Sequence, residues 1–309
     1  MEKLVKELVK KYSNIFGTNP SINKINVGFT NTLYNIDDKY ILKICTDINN
    51  ENSFKNEISF YENNIDNPYI PKYILGDISK NDIPYFYEIL EKVEGVSLYN
   101  IWHTLKEEER EDIIKQLCTA LKGFHYSKKE PYDWLQYQKE LFNEYYSKTK
   151  NLFNEKEKLI IENAYEDFNK YLVDNGEFAF LHNDLHFDNI FYNNGKIIIM
   201  DFERAIYGPL DFELDILYRM CRKPWKYASE ETEKYTKLED YIYIMDYMKK
   251  YYNDLFVNPY LLKRFYIYDI IYYLGNLVDY PHVQELKDDI INACKALLGG
   301  NNENDNNSR

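Results

Sequence analysis

Cysteine is scarce in this sequence and its few copies are scattered. The four cysteines are Cys45, Cys118, Cys221 and Cys294, and no two of them form a Cys-x-x-Cys or Cys/His spacing. Disulfide frameworks and structural zinc sites both show characteristic spacings of their ligands. We therefore expect free thiols in a reducing compartment.

Long apolar runs are also missing. No run approaches the ~18–20 residues that a transmembrane helix requires. The first segment, MEKLVKELVKKYSN, carries charges throughout and lacks the apolar centre of a signal peptide. These absences predict a cytoplasmic protein with no membrane partner.

Positive charge is in deficit. The chain has 38 Lys and Arg against 51 Asp and Glu, a formal net charge of −13. Nucleic-acid binding usually shows a basic footprint, so we expect no nucleic-acid partner. An acidic surface favours cationic ligands, but it also simply keeps a protein soluble, and the charge alone leaves both interpretations open.

The composition that remains is that of a globular protein, with 45% hydrophobic and 29% charged residues. No internal repeat or low-complexity linker interrupts it. The polar tail GGNNENDNNSR, residues 299–309, lacks apolar periodicity and is predicted to be disordered.

The first part of the chain predicts a small sheet. A helix over about 2–13 precedes SINKINVGFTNTLYNIDDKYILKICTD, whose alternation predicts three short strands with a hairpin at Asp37–Asp38. NENSFKNEISFYENN has a helical apolar face, and PKYILGD and PYFYEILEKVEG predict two more strands. Five strands and one helix would give a sheet with one covered face.

After Gly95 the pattern becomes helical. Helices are predicted over 107–127, 135–149, 154–173, 211–221, 231–256, 260–279 and 283–298. We therefore divide the chain into a β-rich part, 1–93, and a mostly helical part, 94–298, joined by a hinge at about 91–95. A cleft between two such parts is a natural ligand site.

The segment LHNDLHFDNIFYNNGKIIIMDFERA, residues 181–205, concentrates polar side chains between apolar runs. Asn-Gly at Asn194–Gly195 predicts a hairpin, which would bring Asn189 and Asp201 together at its open end, with Asp184 on the loop leading in. Oxygen donors of this kind suit Mg²⁺. A zinc hydrolase would need a spacing such as His-Glu-x-x-His, which is absent.

The same segment resembles the catalytic region of kinases. HNDLHFDN fits the pattern H-x-D-L-x-x-x-N, and IIIMDFE fits a strand followed by Asp-Phe-Gly, with Glu203 in the place of Gly. Two features of protein kinases are missing, namely an Arg after His182 and an Ala-Pro-Glu stretch. The segment instead resembles the aminoglycoside phosphotransferase and choline-kinase-like family, as does its tail, DFERAIYGPLDFELDIL. The resemblance implies an α+β, bilobal protein-kinase-like fold.

The resemblance also implies roles in this segment. Asp184 would be the catalytic residue that accepts or orients the substrate hydroxyl, and Asn189 and Asp201 would hold Mg²⁺. His182 is predicted to support the loop by hydrogen bonds. Asp211 resembles the family's Asp that braces the catalytic loop.

The remaining polar residues of this region receive weaker expectations. His186 and Asp188 are predicted to be solvated surface. Three acids are interpreted as surface or bracing groups, or as a source of negative potential in the substrate cleft: Glu203, Glu213 and Asp215.

Upstream, the resemblance assigns nucleotide-binding residues. Lys43, in YILKI, would bind the α- and β-phosphates and pair with Glu57, or else Glu62, on the following helix. Glu91 and Val93 would meet adenine through a backbone C=O and N–H. VGFTNTLYNI resembles the hairpin that covers the nucleotide, with three phosphate-binding candidates: Gly28, Thr30 and Asn31.

The sequence therefore predicts a small-molecule kinase. ATP or GTP would donate its γ-phosphate to a hydroxyl, with Mg²⁺ as cofactor, in a monomer or dimer. The acidity favours an aminoglycoside or similar aminosugar, hence antibiotic resistance by phosphorylation. Choline, ethanolamine or sugar kinases of the same fold and a nucleotide-binding pseudokinase-like module remain alternatives.

Overall fold

A computed structural model describes residues 1–25, 31–126, 128–173 and 176–299. Two predicted phosphate-binding residues, Gly28 and Thr30, lie outside the described residues. The predicted disordered tail also lies outside them, apart from Gly299.

The secondary structure is mixed. The strands are β1 (Ile22–Ile25), β2 (Thr32–Ile36), β3 (Tyr40–Cys45), β4 (Tyr73–Asp77), β5 (Phe86–Glu91), β6 (Val96–Ser97), β7 (Lys128–Lys129), β8 (Phe178–Leu181), β9 (Ile190–Asn193), β10 (Lys196–Ile199) and β11 (Ile206–Gly208). The α-helices are α1 (Glu2–Lys11), α2 (Ser13–Phe16), α3 (Glu51–Asn63), α4 (Leu98–Ile101), α5 (Glu107–His125), α6 (Trp134–Thr149), α7 (Glu155–Glu166), α8 (Phe168–Tyr171), α9 (Leu214–Arg222), α10 (Ile244–Tyr251), α11 (Leu261–Asp279) and α12 (Gln284–Leu298).

The N-terminal part contains one five-stranded antiparallel sheet, ordered β1-β2-β3-β5-β4. Asp37 and Asp38 form the predicted turn between β2 and β3, with φ of 53° and 56°. Two successive residues with positive φ match the twist of a tight hairpin. The predicted five strands and intervening helix are confirmed.

Helix α3 covers one face of this sheet. Its apolar side chains Phe54, Ile58, Phe60 and Tyr61 are all buried. Their spacing places them on one side of the helix, so burying them fixes which residues of α3 face the sheet. Glu57 lies on that same buried side.

The C-terminal part is mostly helical and its helices confirm most of the sequence prediction. One exception is the predicted helix over 231–256. That region contains 3₁₀ turns at Glu233–Tyr235 and Leu238–Asp240, and only α10 is α-helical. The apolar positions of α10 are those of a short amphipathic helix, and they do not continue through the polar 229–240 segment.

Two small sheets position the catalytic segment. One is ordered β10-β9-β6 and the other β11-β8-β7. Strands β6, β8 and β11 were not predicted, because segments of two to four residues carry little periodicity. Gly95, with φ of 125°, precedes β6, and a Cβ there would lie 2.6 Å from the carbonyl oxygen of Tyr192, so only glycine fits this close approach.

No helix in the described part of the chain combines the length and apolar character needed to cross a bilayer. The division near residue 93 stays a prediction. Strand β5 ends at Glu91 and β6 begins at Val96, so the proposed hinge falls between two strands of different sheets.

Candidate active site

A buried ion pair joins the sheet to helix α3. Lys43 lies on β3, and its Nζ donates to Oε2 of Glu57 at 2.6 Å. Glu57 is 1% exposed, whereas the fallback Glu62 accepts instead from the hydroxyl of Tyr73. The predicted Lys43–Glu57 pair is therefore present, while its role toward phosphate stays a prediction.

Lys43 also pairs with the residue that departs from Asp-Phe-Gly. Its Nζ lies 2.6 Å from Oε1 of Glu203 and 3.9 Å from Oδ1 of Asp201. The side-chain amide of Asn31 donates to Glu203 as well. Glu203, which follows β10, therefore contacts both Lys43 on β3 and Asn31, the residue before β2.

A fourth carboxyl, that of Glu88, lies beside this network. Glu88 on β5 is directly opposite Lys43 on β3, is 0% exposed, and neither carboxyl oxygen has a hydrogen-bond partner among the described residues. Burial, and then the charge of Glu57, raise the pKa of Glu88 well above its usual range. Burial likewise raises the pKa of Glu57 to about 7, although Lys43 opposes that shift.

Burial lowers the pKa of Lys43, but the surrounding carboxylates, Glu57 first, raise it well above its usual range overall. The ammonium group is therefore charged at neutral pH. A buried charge needs close opposite charge to be tolerated, and the carboxylates supply it.

The hairpin predicted for the catalytic segment forms. Asn194 and Gly195 turn with φ of 48° and 84°, and Ile190 pairs with Ile199. Beyond that pair, the backbone N–H of Met200 donates to the carbonyl of Asn189 at 2.9 Å. Asn189 and the residue before Asp201 are therefore neighbours, as the hairpin prediction required.

The loop that carries Asp184 is held by side chains. Nδ2 of Asn189 donates to the carbonyl oxygen of Asp184 at 2.9 Å, which leaves the Asn189 amide oxygen available to a ligand. The backbone N–H of Asp184 donates to Nδ1 of His182, whose Nε2 donates to the carbonyl of Met200 at 2.9 Å. The supporting role predicted for His182 is confirmed.

Glu213, rather than Asp211, braces this loop. The backbone N–H groups of His182 and Asn183 donate to the two carboxylate oxygens of Glu213, and His125 contacts the same group at 2.9 Å. Burial raises the pKa of Glu213, but the hydrogen bond from His125 and the other contacts lower it below its usual value overall.

The bracing prediction for Asp211 was wrong, because Asp211 instead accepts from Nε of Arg264 at 2.6 Å and from the hydroxyl of Tyr268. The two acids are separated by one residue in a 3₁₀ turn, Leu210–Glu213, and only the second reaches the loop. The sequence spacing could not distinguish them.

The surface predictions for the loop are half right. Asp188 is exposed and accepts from Ser97 Oγ at 3.0 Å. His186 is half-buried, its Nε2 lies 3.8 Å from Oδ1 of Asp184, and its ring lies near Tyr227, so the prediction that it is solvated surface was wrong. Tyr227 directly follows the 3₁₀ turn Pro224–Lys226, which the sequence did not predict.

A first cavity of about 420 Å³ begins at the Lys43 network. Its lining also includes the apolar residues Leu33, Leu90 and Val93, together with Glu91. The backbone N–H of Glu91 donates to the carbonyl of Lys72, but that of Val93 has no partner among the described residues. A cavity that combines apolar walls, a backbone donor and a lysine suits a nucleotide.

A second cavity of about 380 Å³ lies in the helical part. It reaches the catalytic segment through Asn183 and Arg204, which flank Asp184 in space, since Nη1 of Arg204 lies 3.9 Å from Oδ1 of Asp184. Its other walls come from helices α6, α9 and α11. Asp184 therefore lies beside a cavity distinct from the one that contains Lys43.

The donor set at the first cavity fits an oxygen-loving cation. Carboxylate oxygens of Glu57, Asp201 and Glu203 lie within 4.8 Å of one another. The amide oxygen of Asn189 has no hydrogen-bond partner among the described residues, and Asp201 is about half exposed and so open to a ligand. Oxygen ligands without histidine or cysteine suit Mg²⁺ better than zinc.

Sequence reasoning missed Glu88 and the second cavity. Glu88 could have been found, because it is a lone charge within a buried run of β5. The second cavity could not, because its walls come from segments up to about 140 residues apart that only the fold brings together.

Comparison with solved structures identifies the fold as that of a kinase-like phosphotransferase. The ternary complex of streptomycin, ATP and APH(2″)-IIa has a TM-score of 0.64 at 17% identity, covering 96% of both chains. The GDP complex of wild-type aminoglycoside 2′-phosphotransferase-IIIa has a TM-score of 0.68 at 13% identity, covering 96% of this chain and 97% of that one. The predicted fold class is confirmed.

The chain belongs to the phosphotransferase enzyme family, whose sequence model matches residues 21–242. A mutant of aminoglycoside phosphotransferase APH(4)-Ia, in ternary complex with AMP-PNP and hygromycin B, is a further structural neighbour, with a TM-score of 0.63 at 15% identity over 94% of this chain and 97% of that one. No curated protein sequence matches the chain significantly.

Proposed function

We propose that this protein transfers the γ-phosphate of ATP or GTP to a hydroxyl of an aminoglycoside or a similar aminosugar. The observation that carries the proposal is that the neighbours of Asp184 connect it to two cavities, since Asn189, which donates to the Asp184 carbonyl, accepts from Met200 on the lining of the first. One contains the Lys43–Glu57 pair, and the other reaches the Asp184 loop through Asn183 and Arg204.

On the nucleotide side, Lys43 binds the α- and β-phosphates, and Asn31, with Gly28 and Thr30 outside the described residues, contributes to the phosphate-binding hairpin. The carbonyl of Glu91 and the N–H of Val93 hold the base. Phosphoryl transfer depends mainly on positioning and on neutralising charge, and a lysine held by Glu57 supplies both.

Asn189 and Asp201 would hold Mg²⁺, which would offset the negative charge of the phosphates. The bond from Asn189 Nδ2 to the Asp184 carbonyl orients the amide so that its oxygen is the free end. The same bond couples the metal-binding end of the hairpin to the loop that carries Asp184.

On the acceptor side, Asp184 accepts the proton of the substrate hydroxyl or orients that hydroxyl toward the phosphate. The half-buried His186 and the Arg204 guanidinium are the charged or polar neighbours of its carboxylate. They lie 3.8 and 3.9 Å from Oδ1, beyond hydrogen-bond distance, whereas Nδ2 of Asn189 donates to Oδ2 of Asp184 at 3.5 Å.

The charged residues on the lining of the second cavity are two basic, Lys148 and Arg204, and two acidic, Asp215 and Asp279. Lys148 on its lining pairs with Glu144 at 2.7 Å, and Asp215 pairs with Arg219. Asp279, the last residue of α11, is exposed and has no ion-pair partner among the described residues. It adds to the negative end of the helix dipole, so an ammonium group is attracted there.

The family relatives support this acceptor class. Structural neighbours include complexes with streptomycin, with gentamicin, with kanamycin and with hygromycin B. At identities of 13–17% these names do not transfer by themselves, and the charge at Asp279 is the independent support.

The test is a panel of acceptors in a coupled assay of nucleoside-diphosphate release. We expect turnover of at least one of kanamycin, streptomycin and hygromycin B with Mg-ATP or Mg-GTP. Turnover of choline or methylthioribose without any aminoglycoside would replace the acceptor class. An absence of Mg-nucleotide binding in a thermal-shift measurement would exclude the transferase itself.

A further inference from the structure

One polar side chain in the second cavity is buried and unsatisfied. Gln138 lies on α6, is 2% exposed, and its Nε2 has no hydrogen-bond partner among the described residues. Buried polar groups in native proteins are nearly always hydrogen-bonded. A donor left without a partner in the free protein is therefore expected to have one when a ligand is bound.

The position of Gln138 on its helix is compatible with a ligand role. Gln138, Leu141 and Tyr145 lie at intervals of three and four residues and all line the second cavity. The other side of α6 is different in character: Gln136 is exposed, and its side chain donates to Glu140 at 2.9 Å. Gln138 therefore faces the cavity from its wall rather than from its rim.

Aromatic side chains share the cavity lining with this amide. Tyr145 and Tyr272 line the cavity, and so does Gly275 of α11. A Cβ at Gly275 would lie 3.3 Å from Cε2 of Tyr145, so the absence of a side chain lets the ring pack there. Flat aromatic surfaces pack well against the C–H faces of a saturated ring.

We propose that Gln138 is a specificity-determining residue of the acceptor site, where its amide N–H donates to a hydroxyl or ring oxygen of a cyclic polyol such as an aminocyclitol. The inference rests on the proposed function, since it names the recognition chemistry of that same site. Choline offers no oxygen besides the hydroxyl that would be phosphorylated, so it would leave the Gln138 donor unsatisfied.

The geometry also explains how binding at Gln138 leads to transfer. The cavity extends from α6 to Asn183 and Arg204 beside Asp184. A ring held at its far side by Gln138 and across its face by Tyr145 presents an opposite hydroxyl toward Asp184. Gln138 does not touch the reacting atoms, so it acts on acceptor binding.

The test compares Gln138→Met with a matched control, Gln136→Met, on the exposed side of the same helix. For the best aminoglycoside of the panel, we expect Gln138→Met to raise the acceptor KM about tenfold with kcat and nucleotide KM little changed, the pattern of lost uniform binding. Gln136→Met should leave all three constants unchanged.

A purely structural role for Gln138 predicts that Gln138→Met lowers the Tm. Our proposal predicts the opposite, because replacing an unsatisfied buried amide by an apolar side chain of similar length should leave the Tm unchanged or raise it. An acceptor KM for Gln138→Met within twofold of the unmutated enzyme would overturn the inference, and so would a loss of Tm that accounts for the lost activity.

The panel separates this inference from the proposed function. If choline is the acceptor and its KM is insensitive to Gln138→Met, the aminosugar proposal and the inference both fail. If a sugar without amino groups is the acceptor and its KM rises in Gln138→Met, the inference stands and the aminosugar proposal fails. If no panel member is phosphorylated or binds in calorimetry, both fail.

Discussion

The two cavities beside Asp184 are of similar size but opposite construction. The first, about 420 Å³, is organised around a lysine held by Glu57 and Glu203. The second, about 380 Å³, has aromatic residues on its walls, and within the described part of the chain the Gln138 amide nitrogen is unsatisfied and Asp279 has no ion-pair partner. The first holds its charges in fixed ion pairs, whereas the second leaves the Gln138 amide nitrogen without a partner among the described residues.

This difference matches the chemistry proposed for each side. A triphosphate is the same in every turnover, so fixed ionic contacts are useful, and phosphoryl transfer needs them. An acceptor is recognised by a few polar groups on an apolar wall. Variants of the two cavities should therefore have separable kinetic effects, with Asp184 as the residue that both need.

The largest effect is expected for Asp184→Asn. It removes the carboxylate that accepts or orients the hydroxyl, so kcat should fall about 10³-fold while both ligands still bind. Steady-state turnover and calorimetric titration of Mg-nucleotide measure the two properties. The matched control is Asp188→Asn, which changes an exposed acid on the same loop. Near-normal turnover of Asp184→Asn would exclude Asp184 as the catalytic residue.

The next effect belongs to the first cavity alone. Lys43→Met should lower kcat/KM for nucleotide about 10²-fold, because charge stabilisation of the phosphates is lost. The acceptor affinity measured by calorimetry should not change. Lys39→Met, an exposed lysine at the preceding turn, is the control, and an equal loss of acceptor affinity in Lys43→Met would mean that the two cavities are not independent.

Glu88 tests whether the first cavity is optimised for stability. It is buried without a hydrogen bond, so Glu88→Met should raise the free energy of unfolding of the nucleotide-free protein by about 1–3 kcal/mol. Urea denaturation measures the change. A destabilised Glu88→Met variant would show that the carboxyl has a partner in solution.

The same substitution has a pH signature. Because burial raises the folded-state pKa of Glu88, and that of Glu57 from 4.5 to about 7, the folded state binds more protons than the unfolded state above pH 4.5. Stability should therefore fall as pH rises from about 4.5 to about 7. Glu88→Met removes one of the two contributions, so its advantage over the unmutated protein should grow with pH across this interval.

The smallest effect is expected at the rim of the second cavity. Asp279→Asn removes an exposed charge, so the KM of an aminoglycoside should rise only about threefold, and less at high salt. Nucleotide KM should not change. The control is Asp288→Asn, which changes an exposed acid of α12 that does not line the cavity. Equal KM changes in the two variants would mean that the net charge of the protein, and not the position of Asp279, attracts the acceptor.

The same contrast explains what the sequence predicted. The first cavity follows from local rules, since the Asn194–Gly195 hairpin and the Lys43–Glu57 pair depend on a turn and on a strand followed by a helix. Asp211 and Glu213 show the limit of such rules, because a 3₁₀ turn decides which of two nearby acids meets the loop. The second cavity depends on the packing of distant helices, which periodicity does not encode.

The network around Lys43 has a consequence for what enters the first cavity. Besides Lys43, its charged lining includes the acids Glu57, Asp201 and Glu203, with the carboxyl of Glu88 behind them. A free triphosphate would meet a negative field and find its lysine already engaged. The cleft should therefore select the charge state of its ligand, admitting a nucleotide whose phosphates are already neutralised by a divalent cation and repelling the same nucleotide without one.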